Sequence, residues 1–366
     1  MPKELTYAQQ RARDLTILTR DALHALPIVC TDFIRAIEPT TQPLTRYAYT
    51  QDLRLFFKYL SEENPRFHGQ APDKFQIEDL NVISARDIEM FLDYLSLYFK
   101  PDDTEVTNAE LGKMRKLSTL RSFYKYLFKH ELVDANVASL IDMPKRHQKP
   151  IIRLEIDEVA RLLDAAESTE ALSTKHQNAY NAHTRKRDLA ILTLFLGTGI
   201  RVSELVGINI DDLDFDLNGF IVTRKGGAQA ILYFPDEVAA VLKEYLKDRK
   251  EIVAREGDEK ALFLSLQKRR ISVRAVEMMV KKYTNIAAPL KKHLSPHKLR
   301  STFGSNLYHE TGDIYLVADV LGHSDINTTR RHYAAMADDR RRMAAKVVKL
   351  RDDAPEQQDG NDGKQD

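Results

Sequence analysis

Apolar residues recur at helical spacing through most of this chain. Leu44, Tyr47, Leu53, Phe56, Phe57 and Leu60 share one face of a period of roughly 3.6 residues, and Thr41 stands where a hydroxyl would cap the start. A second amphipathic stretch covers residues 88–99. A third, residues 117–128, carries Leu120, Phe123, Tyr124 and Leu127 on one side. Together they predict a compact helical domain over residues 1–142. Residues 143–153, MPKRHQKPIIR, then break the pattern with two prolines and with Lys145, Arg146, Lys149 and Arg153, unopposed by any acid. Such a segment reads as an extended basic linker able to lie along a phosphate backbone.

Beyond it, residues 154–166 are again helical, residues 168–182 are polar and weakly periodic, and residues 187–196 form an apolar helix that stops at Gly197, Thr198 and Gly199. Strand signals appear only after this point. Residues 211–216, 220–225 and 230–234 read as short strands joined by Asn218-Gly219 and Gly226-Gly227, both favoured hairpin turns. From Pro235 the helical period returns, and no internal repeat is visible. The expected fold is therefore mainly α with a small antiparallel β-sheet (α+β) in a second domain, residues 154–351. Residues 352–366 read as an acidic, disordered tail.

Composition narrows the function. At 366 residues and 43% hydrophobic, the chain can bury a core in each of two domains. Runs of about 18 apolar residues are missing, as is a leader-like apolar stretch near Met1, so a cytoplasmic protein with no membrane contact is expected. The single cysteine, Cys30, excludes an internal disulfide framework and multi-cysteine zinc patterns. A formal net charge of +1 looks too neutral for a nucleic-acid partner, but residues 352–366 carry −5, which leaves +6 on residues 1–351. That balance is compatible with DNA without requiring it.

Several basic and polar residues of the second domain stand where a core has no use for them. Arg201 follows Gly197-Thr198-Gly199 and opens the next helix, where guanidinium and backbone N–H groups suit an anion; pairing with Glu204 or with the Asp211-Asp212 turn is the plainer alternative. Lys225 falls at the tip of a hairpin, placed to reach into a groove or simply to be solvated. His297 and Arg300 are three apart after Ser295-Pro296, so they share a helical face and could engage one oxyanion. His323 follows a helix-ending Gly322. Tyr333 closes NTTRRHY, and its phenol needs neighbouring cations or bases to become a nucleophile, since its ordinary pKa is near about 10.

In order, TGIRVSEL (residues 198–205), RKGG (224–227), HKLR (297–300), LGH (321–323) and Tyr333 resemble the catalytic domain of the tyrosine recombinase/integrase family, in its Xer-like branch. The six expected site positions, Arg201, Lys225, His297, Arg300, His323 and Tyr333, are filled in the family's order. Residues 45–60 also look like the family's helical core-binding domain. The gap from His323 to Tyr333 is ten residues, where nine is common among Xer proteins, and Ser301 stands where many relatives have histidine.

The resemblance implies two domains closing as a C-shaped clamp on double-stranded DNA. It implies a site-specific recombinase that cuts and rejoins strands through a 3′-phosphotyrosyl link, with no metal, ATP or other cofactor. Arg201 and Arg300 would hold the phosphate, Lys225 would protonate the leaving oxygen, His297 would act as base near Tyr333, and His323 would donate to the phosphate. It further implies a homotetramer on two DNA sites, weakly associated or monomeric without DNA, and a nucleoid location. Chromosome dimer resolution at cell division and integration or excision of a mobile element are both open. Nicking and resealing of the type IB topoisomerase kind, or DNA binding without catalysis, are the alternatives.

Overall fold

The structure is a computed structural model in which residues 5–100, 102–144, 152–168, 175–224, 227–291 and 294–322 are described, with backbone only for 175–182. Its two compact units meet in sequence at residues 149 and 150. The first unit holds α1 (Tyr7–Leu23), α2 (Ile28–Ala36), α3 (Pro43–Glu62), α4 (Ile77–Val82), α5 (Ala85–Tyr94) and α6 (Glu110–Lys129). A two-stranded antiparallel pair, β1 (Tyr98–Phe99) and β2 (Glu105–Val106), lies between α5 and α6 in sequence.

Local signals explain most of these boundaries. The Thr6 hydroxyl accepts from the Gln9 N–H and the Gln9 side chain accepts from the Thr6 N–H, a reciprocal cap on α1. Ser84 and Asp87 repeat it on α5. Thr41, expected to cap α3, does not. Its hydroxyl donates back to Ile37 O at 2.6 Å, Gln42 occupies the cap position, and Pro43 begins the helix, where its missing N–H costs nothing. Leu44, assigned to the buried face, is exposed.

The stretch expected to run as helix to Phe99 ends at Tyr94 and turns into β1. Asn108 takes the Leu95 carbonyl with both its backbone and side-chain N–H, at 3.1 and 3.2 Å, so the bond that would continue the helix is not made. Strand structure therefore occurs in both units. The first core is aromatic: Phe56 meets Phe91 edge-on at 5.1 Å between centroids, and Phe33 meets Phe123 at 5.3 Å. Asp52 of α3 is buried against α6. It accepts both arms of Arg115, at 2.5 and 2.6 Å, and the Thr119 hydroxyl at 2.8 Å.

The second unit holds α7 (Ile156–Glu167), α8 (Lys175–Thr198), α9 (Val202–Leu205), a three-stranded sheet, α10 (Asp236–Glu251), α11 (Val273–Ala287), α12 (Pro296–Thr311) and α13 (Ile314–Leu321). The sheet is β3 (Leu213–Asp214), β4 (Gly219–Thr223) and β5 (Gln229–Tyr233), antiparallel in that order. Phe220, Val222 and Leu232 turn inward while Ile221, Ile231 and Tyr233 are exposed, the alternation a one-sided sheet requires. α8 is the central strut, burying Ala190, Ile191, Leu192, Leu194 and Phe195 and packing on α7, α10 and α12.

α8 begins at Lys175, twelve residues before the helix expected at 187. Part of the reason is visible at residues 184–188. Asp188 is buried and accepts from Thr184 at 3.2 Å, from Arg187 at 2.6 Å and from the Tyr283 hydroxyl at 3.1 Å. A helix that buries hydrogen-bonded polar groups shows little apolar periodicity. Residues 169–174, the basic linker positions 145–151, the hairpin tip Lys225-Gly226 and the tail 352–366 lie outside the described residues.

Candidate active site

The site is assembled where α8 ends, α9 begins, β4 ends and α13 ends. Thr198 closes α8 by donating its hydroxyl to Leu194 O at 2.6 Å. Gly199 then turns the chain with φ 62°, and a Cβ there would run into the Phe303 ring and Leu321. Only glycine fits both conditions. The turn delivers Arg201 to the first position before α9, a helix of four residues.

Arg201 satisfies the plain expectation and also exceeds it. Its backbone N–H donates to Glu204 Oε2 at 3.1 Å and its Nη1 to Glu204 Oε1 at 2.7 Å. The other arm, Nη2, donates to Leu321 O at 3.2 Å and Gly322 O at 2.8 Å. Expectation had set the guanidinium beside an anion-binding helix start; the structure instead directs it across the unit to the end of α13. A pairing with the Asp211-Asp212 turn is not among its contacts.

Arg300 is buried on α12. Its Nη1 donates to Gly199 O at 2.5 Å and its Nη2 to the same Leu321 carbonyl that Arg201 uses. Two arginines about a hundred residues apart in sequence therefore share one acceptor. His297, one turn earlier on α12, is exposed. Ser301 donates its hydroxyl to His297 O at 3.0 Å.

A third guanidinium joins them, and reading the sequence alone overlooked it. Arg224, at the end of β4, sends Nη2 to Val320 O at 3.3 Å and lies where a Cβ on Gly322 would be. The carbonyls of Val320, Leu321 and Gly322 thus each accept from an arginine. A helix C-terminus carries partial negative charge and unpaired carbonyls, which makes it a natural seat for cations. Gly322 ends α13 with φ 61°, the left-handed cap that Leu-Gly-His implied. The signal that could have exposed Arg224 was its place beside Lys225 in RKGG.

Lys225, His323 and Tyr333 fall outside the described residues, so the structure brings together Arg201 and Arg300 of the six expected positions and sets His297 on the same helix as Arg300. Among the described residues no group of three His, Cys, Asp or Glu side chains is placed to hold a metal, and no helix is long and apolar enough to cross a membrane.

A mostly helical unit with a small antiparallel sheet is the fold shared with solved site-specific recombinases. The chain belongs to the phage integrase family, whose model matches residues 153–340. It is 35% identical over 295 residues to the tyrosine recombinase XerC of Caldanaerobacter subterraneus, covering 79% of this chain and 77% of that one. The XerD of Lacticaseibacillus casei is 29% identical over 313 residues, covering 86% and 92%. Among solved structures, the XerH site-specific recombinase bound to its palindromic difH substrate aligns with TM-score 0.60 at 18% identity, over 84% of this chain and 80% of that one. A lambda integrase dimer on a core site aligns with TM-score 0.57 at 15% identity, over 83% and 93%. This protein is a site-specific recombinase that cuts and rejoins DNA.

Proposed function

We propose that Tyr333 is the nucleophile and that the arginine pair on the Leu321 carbonyl is the seat of the scissile phosphate. The shared acceptor carries this reading, because it holds Arg201 and Arg300 at one point from separate elements. In the proposed step the Tyr333 oxygen attacks phosphorus and gives its proton to His297. The bond to the 5′-oxygen breaks, and that oxygen takes a proton from Lys225. The phosphate stays on Tyr333 as a 3′-phosphotyrosine, and the free 5′-hydroxyl reverses the step on a partner strand. Arg201, Arg300 and His323 stabilise the charge that builds on the non-bridging oxygens. Losing either arginine should slow cleavage by about 100-fold or more, in line with other oxyanion donors.

The domains proposed from the sequence, 1–142 and 154–351 around a basic linker, would close as a clamp on double-stranded DNA, four protomers on two sites. The Xer names of relatives that span most of the chain favour a housekeeping role on the bacterial nucleoid, the resolution of chromosome dimers, over mobile-element integration. Tyr333→Phe tests both parts. It should bind its site and form no covalent adduct on a nicked suicide substrate; a persisting adduct assigns the nucleophile elsewhere. Mapped on the genome, the same variant should occupy one locus near the replication terminus, whereas occupancy at element ends would mean integration.

A further inference from the structure

The paired register of β4 and β5 is complete at Thr223 and Gln229. Arg224 comes next, and its backbone N–H donates to Ala228 O at 2.7 Å, one step beyond the last strand pair. Its side chain is not part of the strand pairing. It leaves the hairpin, donates Nη2 to Val320 O at 3.3 Å, and packs over Gly322. Its Nε is buried with no acceptor among the described residues.

A buried N–H left without a partner is unfavourable, so other contacts must hold the guanidinium in place. Two features hold this guanidinium. The carbonyl end of α13 favours a cation, and Gly322 supplies a backbone with no Cβ in the way. The planar fork can bond one carbonyl while stacking on the next peptide, which an ammonium cannot do. Arg224 and Gly322 are each one residue from a proposed participant in cleavage: Lys225 follows the first and His323 follows the second.

We propose that Arg224 is a positioning residue for strand cleavage: by bridging the end of β4 to the C-terminus of α13, it fixes the two backbone stems that carry Lys225 and His323. The proposal rests on the mechanism above, in which Lys225 protonates the leaving oxygen. Without the bridge the hairpin stem is free to shift against α13, and protonation of the leaving oxygen fails first.

The test measures single-turnover adduct formation by the full-length protein on nicked DNA, with either oxygen or sulfur at the bridging 5′ position. A sulfur leaving group departs without a proton. Arg224→Ala should cleave the oxygen substrate about 100-fold slower than wild type, the scale of a lost general acid, and recover to within about tenfold on the sulfur substrate. DNA affinity should be unchanged. Gly322→Ala, which drives a methyl into the guanidinium, should behave alike, and Arg224→Lys should fall between. Arg201→Ala should not be rescued. The proposal is overturned if Arg224→Ala cleaves the oxygen substrate at the wild-type rate, or if both substrates slow equally, which would make Arg224 a phosphate ligand or a folding determinant. Failure of the underlying mechanism has a separate signature: an adduct from Tyr333→Phe, or no sulfur rescue of Lys225→Ala. Either result removes the proposal as well.

Discussion

Arg201 shows why single residues were only half legible. The sequence offered an anion seat or a pairing with Glu204, and the folded residue makes the pairing with one arm while the other arm joins Arg300 on Leu321 O. Sequence order singled out the side chain as a candidate; its acceptor, a backbone carbonyl 120 positions away, has no residue-type signature. Asp52 is the same lesson in the first unit. It is not among the apolar positions read from the sequence of α3, yet it is 3% exposed and braced by Arg115 and Thr119. Burial raises its carboxyl pKa above the ordinary range, an effect that Arg115 only partly opposes. A raised folded-state pKa means the folded protein binds the proton more tightly than the unfolded chain. The stabilisation from Asp52 is therefore complete below the ordinary carboxylate pKa and is lost as pH rises through the folded value. Asp52→Asn, which cannot ionise, should gain stability relative to wild type as pH rises through that acidic window. Urea unfolding of both proteins across the window checks this, and a difference constant with pH would contradict it.

Elements were most legible where one chemistry dominates. β4 and β5 announced themselves by alternation between glycine turns, and α6 by its apolar stripe. The end of α5 was hidden because Asn108 competes for a helical carbonyl, and the Asp188 network interrupts the apolar period of α8 close to where the expected helix began. The turn between α8 and α9 joins the fold to the site. Gly199 there combines φ 62° with contact against Phe303 and Leu321, and its own carbonyl receives Arg300. Gly199→Ala should destabilise the second unit by about 2–4 kcal/mol, from left-handed strain plus overpacking. It should also slow cleavage by the residual folded protein, because Arg300 loses its seat. Thermal unfolding followed by cleavage below the transition separates the two effects. An alanine variant as stable as wild type would mean that the turn relaxes freely.

At the scale of the whole molecule the chain ends in two contrasting segments, both outside the described residues. Met343, Val347 and Leu350 repeat at helical spacing with Ala344 and Val348 beside them, after Arg340, Arg341 and Arg342, and the −5 tail follows. Removing residues 340–366 should leave a monomer that folds and cleaves a suicide substrate while recombination between two full sites falls sharply, as expected if the stripe docks on a neighbouring protomer. Recombination at the wild-type rate would exclude that role. Removing 352–366 alone should tighten non-specific DNA binding at low salt, since an acidic segment competes with phosphate for basic surface. The three arginines at the end of α13 carry a consequence for the idle enzyme. Val320, Leu321 and Gly322 hold them through uncharged oxygens. Arg201 is held from two sides, one arm by the Glu204 carboxylate and the other by peptide oxygens that aim it without cancelling its charge. In the proposed mechanism a strand phosphate would therefore take the place of Glu204 on one arm of Arg201, so recognition begins as an exchange of anions and not as the meeting of a bare cation.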